Sequence, residues 1–152
     1  MSTLTQNDIE IATRAADHFT RLYYSTYDSP TRVDDLPNFY RPSSALTWNG
    51  KPYQGTEGVR NLISSMPVTR HEVQCFDWSQ PPNLLITVSG TVTHGRGPSG
   101  NPPATSNKSI DGQPRVFSQT FVLVPDPSAA PSTKGGEVAK YYVNADAMRF
   151  VG

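Results

Sequence analysis

The stretch from Phe39 to Met66 constrains the fold of this chain more than any other. Ala45-Leu46-Thr47-Trp48 reads as a short aromatic strand turned back by Asn49-Gly50. That dipeptide suits a type I′ turn, whose two central residues both need positive φ. The return strand runs through Tyr53 and stops at Gly55. A helix then carries Val59, Leu62, Ile63 and Met66 on one face until Pro67 ends it. A small hairpin followed at once by an apolar-faced helix is a specific piece of architecture.

Upstream of this unit, the spacing predicts a long first helix from near Thr5, where Thr5 and Asp8 have capping-box spacing. Ala12, Ala15, Ala16, Phe19, Leu22, Tyr23 and Thr26 build its apolar face. Glu10–Arg14 and Asp17–Arg21 are i,i+4 pairs on the opposite face, each worth only about 0.2–0.5 kcal/mol. Asp28-Ser29-Pro30 closes the helix, and a shorter one from Val33 to Tyr40 stops before Pro42. Past Pro67 the period falls from 3.6 to 2, and strands are expected over Arg70–Trp78, Leu84–His94, Val116–Val124 and Lys140–Val151. Helices first and long strands after imply an α+β fold, a curved antiparallel sheet with about three helices packed on one face.

In the strand Leu84–His94, Leu84, Ile86, Val88 and Val92 share one face and Leu85, Thr87, Ser89, Thr91 and Thr93 the other. A stripe of threonine and serine is either a solvated sheet surface or a flat platform that a second sheet covers. Two segments, near 95–114 and 125–139, are rich in Gly, Pro, Ser and Asn and lack the apolar residues that could offset ordering entropy. They are expected to be flexible loops between paired strands of a single domain covering residues 1–152.

Thirteen basic residues balance thirteen acidic ones, so there is no global field to gather nucleic acid or anionic lipid. Sequence-independent RNA affinity rests on lysines and arginines neutralising phosphates, and here they are scattered. Cys75 is the only cysteine, which excludes an intramolecular disulfide. The N-terminus lacks the basic and apolar regions of a secretion signal, and no window approaches the roughly 18 apolar residues of a membrane span, so a soluble intracellular protein is expected.

No catalytic motif stands out. Gly95-Arg96-Gly97 leads into prolines, where no helix can open to hold a phosphate. His18, His71 and His94 share no metal-ligand spacing, and nothing calls for a cofactor. Cys75, on a strand beside Phe76, reads as a small buried hydrophobe. An acid/base set could draw on Asp17 and His18 with Asp77 or Asp146. Against it, Asp17 falls on the charged face of its helix and His18 at the margin, and the alternative role for Asp146 is to brace the last strand. An interior filled by Phe, Tyr and Met, without a ligand, is expected.

Several short pieces share an order and spacing. They are Ala15-Ala16-Asp17-His18-Phe19 with Tyr23-Tyr24, then Leu46-Thr47-Trp48-Asn49-Gly50, Gly55, and Ser89-Gly90-Thr91-Val92. Phe117-Ser118-Gln119-Thr120-Phe121-Val122-Leu123 and Asn144-Ala145-Asp146-Ala147-Met148-Arg149-Phe150 complete them. In these the chain resembles the nuclear transport factor 2-like family over nearly its whole length, and within it the small subunits of heterodimeric mRNA export receptors. The resemblance implies a cone-shaped α+β domain without catalytic activity.

Two cellular branches of that family differ in partner. One is a homodimer that imports the GDP form of the small GTPase Ran, using a glutamate where this chain has Asn49 and an acidic loop where it has Gly95-Arg96-Gly97-Pro98. Loss of those carboxylates removes the attraction for a basic partner. The other branch pairs with the matching domain of the large export-receptor subunit, through an arginine corresponding to Arg149. Alternation puts Arg149 with Ala145 and Ala147, opposite Met148 and Phe150, and arginine suits an interfacial carboxylate. The partner-binding set expected is therefore Arg149, Ala147, Ala145, Thr87, Ser89, Thr91, Thr93, Ser118 and Thr120. The resemblance implies a scaffold in the nucleus and at the nuclear pore that shuttles to the cytoplasm and meets FG nucleoporins through the heterodimer. RNA or ribosomal cargo at the loops stays open, with no residue pattern to support it. The alternatives are the Ran-GDP carrier and, further out, a small-molecule isomerase or dehydratase of the same shape.

Overall fold

A computed structural model describes residues 6–79, 84–95, 113–125 and 141–151. The chain forms α1 (Gln6–Tyr27), α2 (Arg32–Asp35), a 3-10 turn (Leu36–Phe39), β1 (Tyr40–Trp48), β2 (Lys51–Gln54), α3 (Gly55–Ser64), β3 (Thr69–Ser79), β4 (Leu84–His94), β5 (Pro114–Pro125) and β6 (Tyr141–Phe150). The six strands make one curved, unclosed sheet in the order β2-β1-β6-β5-β4-β3. The sheet is mixed. Four pairings are antiparallel as expected, but β6 enters between β5 and β1 and runs parallel to β1. The Thr5–Asp8 cap and most of the two expected loops lie outside the described residues.

The hairpin forms where the turn chemistry put it, with Asn49 at φ 48° and Gly50 at φ 88°. Asn49 also ties the hairpin to its neighbour, its amide donating to the Met148 carbonyl at 2.7 Å. The expected helix from Val33 to Tyr40 is corrected to a four-residue helix and a 3-10 turn, with Tyr40 already in β1. Pro37 has no N–H to continue an α-helical ladder. The start of β1 is irregular, because its pairing with β6 shifts between Tyr40 and Ala45. Ser44, 1% exposed, fills that break and donates to the Val143 carbonyl.

One face of the sheet takes the helices. Ala12, Ala15, Ala16, Phe19, Tyr23 and Tyr24 of α1 are buried with Ile86, Val88, Val92, Phe117, Phe121 and Leu123 of β4 and β5. Three rings interlock there, Phe19 and Tyr23 meeting Phe121 edge-on at 5.0 and 4.7 Å between centroids. Leu22, expected on that face, is 40% exposed at its margin. Asp17 and Arg21 form their i,i+4 pair at 3.1 Å on the outside of α1. Arg32, which the sequence did not single out, is buried and donates to the carbonyls of Met66 and Pro67 and to Thr69 Oγ1 at 3.2 Å. It thereby ties the segment that follows α3 to the start of β3.

Candidate interaction face

Alternation along the strands sends every second side chain to the face away from the helices, and register aligns those residues in rows. Ala45, Ala145, Val122, Leu85 and Ser79 stand side by side across β1, β6, β5, β4 and β3. The next row is Thr47, Ala147, Thr120, Thr87 and Asp77, and the next Arg149, Ser118, Ser89 and Cys75. Val116, Thr91 and Glu72 follow, then Pro114, Thr93 and Arg70. All nine residues expected to meet a partner lie on this one face. A depression of about 310 Å³ opens in it between Thr47, Ser118, Thr120, Ala147 and Arg149. Arg149 is exposed at its rim and has no ion-pair partner among the described residues. Leu85 and Val116 are large apolar side chains exposed on this face, at 38% and 47%.

Cys75 belongs to this outer face, not to the core: it is exposed, its Sγ 3.4 Å from Ser89 Oγ. The reason is a bulge. Val73 pairs with Gly90 and Cys75 with Ser89, which leaves Gln74 extra and reverses the alternation. Beyond it Phe76 and Trp78 turn toward the core, and Cys75 and Asp77 turn out.

The opposite face holds a closed polar chain that the sequence did not announce. Asp146 Oδ2 accepts from the Tyr40 hydroxyl at 2.5 Å and Oδ1 from Gln119 Nε2 at 2.8 Å. Gln119 Oε1 accepts in turn from the Tyr24 hydroxyl at 2.7 Å, and the Tyr23 hydroxyl lies 2.6 Å from that of Tyr40. Burial pushes the Asp146 carboxyl up to about 7, against the pull of the Tyr40 and Gln119 donors, and raises all four buried tyrosines, Tyr23, Tyr24, Tyr27 and Tyr40, above their usual range. The four groups of the acid/base set do not meet. Asp17 and His18 face outward on α1, Asp77 is on the outer sheet face, and Asp146 alone is inside. Beside Tyr23, Tyr40, Trp48 and Met148 the remaining cavity is about 10 Å³, the lower edge of what one water needs. A substrate has no room there.

Comparison with known proteins fits this architecture. The model of the nuclear transport factor 2 (NTF2) domain matches residues 15–101. NTF2-related export protein 2 of Homo sapiens is 30% identical over 152 residues, covering 93% of this chain and 89% of its own. Nuclear transport factor 2 of Davidiella tassiana is also 30% identical, over 142 residues, 90% of this chain and 91% of its own. In the solved complex of the Chaetomium thermophilum Mex67 NTF2-like domain with Mtr2, a chain superposes with a TM-score of 0.64 at 20% identity, covering 93% of this chain and 99% of that one. The relatives are named as transport factors, not enzymes. With a matched domain over more than half its length and relatives aligned nearly end to end, this chain belongs to the nuclear transport factor 2 family.

Proposed function

We propose that this chain is the non-enzymatic small subunit of an mRNA nuclear export receptor, pairing through its outer sheet face with the NTF2-like domain of a large subunit. The observation that carries the reading is the face itself: rows of Ala, Thr and Ser flat enough for a second sheet, with Arg149 over a depression. The Mex67–Mtr2 neighbour, a complex of an NTF2-like domain with Mtr2, gives the pairing a precedent. In this reading the chain covers the large subunit's sheet, keeps that domain folded, and meets FG nucleoporins only as part of the heterodimer. Its place is then the nucleus and the nuclear pore, with shuttling to the cytoplasm.

The second reading is a homodimeric carrier of Ran-GDP, favoured by the equal identity to the Davidiella tassiana transport factor. Asn49 and the Gly95 turn offer a basic partner no carboxylate. Co-expression with a candidate large-subunit NTF2-like domain, followed by mass measurement of the purified species, separates the two. A one-to-one heterodimer supports the export reading. A homodimer that ignores the large subunit and retains Ran-GDP overturns it.

A further inference from the structure

The sheet ends on β3, and no strand among the described residues pairs with its outer edge. An open edge of that length is a template for another chain. Here the protein closes the edge near its two ends with its own carboxylates. The His71 amide donates to Asp28 Oδ2 at 2.7 Å, and the Trp78 amide to Asp77 Oδ1 at 2.8 Å. Alternation from those two points, through the bulge at Gln74, turns the amides of Val73 and Phe76 to the same open edge. Neither has a partner among the described residues. The bulge is built in from the neighbouring strand. A Cβ on Gly90 would sit 2.1 Å from the Glu72 carbonyl oxygen, so only glycine lets β3 approach there.

Beside this open window runs a groove of about 630 Å³ between β3 and α1, walled by Thr20, Arg21, Tyr24 and Ser25 on the helix and Val73 and Phe76 on the strand. Two carboxylates, Asp17 and Asp28, line it against a single arginine, Arg21, which pairs with Asp17 at 3.1 Å. We propose that the β3 edge from Val73 to Phe76 takes a short extended peptide of another protein, adding as a strand, with a large apolar residue in the groove flanked by Lys or Arg. The free amides select an extended backbone, and the acidic rim selects the basic flank. At about 3.3 Å per residue the window spans only about 10 Å, enough for a short peptide. A second copy of the chain would have to fit its own α1 against this one to reach so short an edge. The groove lies on the α1 side of β3 and shares Cys75 with the outer sheet face, so variants in its helix wall test it independently of the proposed pairing.

The probe is a fluorescent Lys-Val-Thr-Phe-Thr-Lys peptide titrated into the full chain by polarisation. Glu-flanked and proline-interrupted versions serve as comparisons. The expected result is saturable binding that weakens about tenfold or more with Glu flanks, weakens with added salt, and is lost with proline in the centre. Ser25→Trp fills the groove from an exposed helix position and should abolish binding, whereas Val116→Trp on the outer sheet face should leave it intact. Thermal melting of both variants shows whether each is folded. Binding that survives Ser25→Trp in a folded protein overturns the proposal. So does equal binding of all three peptides, absence of saturable binding, or self-association that Ser25→Trp abolishes.

Discussion

Strands β4, β5 and β6 carry two surfaces built from alternate residues, and the fold uses the two differently. On the inner face Ile86, Val88 and Phe121 are fully buried, and the polar groups among them, Gln119 and Asp146, have all their buried side-chain atoms hydrogen-bonded. One step along each strand lie Thr87, Ser89, Ser118, Thr120, Ala145 and Ala147, small, partly exposed and in rows. The inner face is complete within this chain. The outer face has low rows of small side chains, hydroxyls and one arginine without a described partner, which is capacity that the fold itself does not use.

The comparison breaks most sharply at adjacent residues of β5. Phe121→Ala removes a ring packed against Phe19, Tyr23 and Tyr24 and should cost about 3–5 kcal/mol of stability. Thr120→Ala, one residue away on the outer face, should stay within about 0.5 kcal/mol. Urea denaturation of the two variants measures both. Similar losses would mean that the outer face also belongs to the core.

The inner face should also respond to pH, with a sign opposite to that of a paired surface carboxylate. Burial raises Asp146 from 3.8 to about 7, so between those values the folded protein binds a proton that the unfolded chain has released. Stability then falls as pH rises across that window, by up to about 4 kcal/mol for this group, and the contribution is fully favourable only below it. Asp146→Asn keeps the acceptor toward Tyr40 or Gln119 but not both, and should flatten the pH dependence at some cost in stability. Melts from pH 4 to pH 8 of both proteins test this. An identical slope in the variant would assign the titration to another group.

What could be read in the sequence was what depends on neighbours in the chain. The Asn49-Gly50 turn is a local demand for positive φ, and the last strand kept its alternation, so Arg149 and Ala147 fell on the face expected. Cys75 did not, because the bulge that reverses parity is imposed from β4 by Gly90, fifteen residues on; a glycine inside an otherwise regular strand was the available signal. The Asp146 chain was out of reach for a different reason. Its partner Tyr40 is 106 positions away and Tyr24 is 95 from Gln119, and no local pattern encodes such meetings. The parallel β1–β6 pairing belongs to the same class, since it joins segments distant in sequence, Ala45 beside Ala145, that only topology brings together.

On the outer face the effects should appear in pairing rather than folding. Arg149→Glu should leave the melting temperature of the isolated chain nearly unchanged, since the side chain is exposed and has no described ion-pair partner. If a carboxylate of the large subunit meets Arg149 across the interface, removing the guanidinium leaves that charge uncompensated, typically at about 3–5 kcal/mol. Even the low end weakens the heterodimer roughly a hundredfold, which calorimetry with the large-subunit domain would read. Undiminished affinity would detach Arg149 from the interface.

The smallest effect asks what the outer face offers a partner sheet, its hydroxyls or its flatness. Thr87 stands in the middle row, beside Thr120 and Asp77, and its hydroxyl makes no described bond. Thr87→Val keeps the shape and the β-branched fit to the strand, so folding should move by no more than about 0.5 kcal/mol. If flatness matters, pairing should change less than about threefold, because near-neutral contacts around an anchor mainly exclude water. Thr87→Arg, which raises a long side chain from the same place, should then weaken pairing far more than Thr87→Val while sparing the fold. If instead Thr87→Val costs as much affinity as Thr87→Arg, the hydroxyl rows act as hydrogen-bonding groups and the platform reads its partner by polarity rather than by shape.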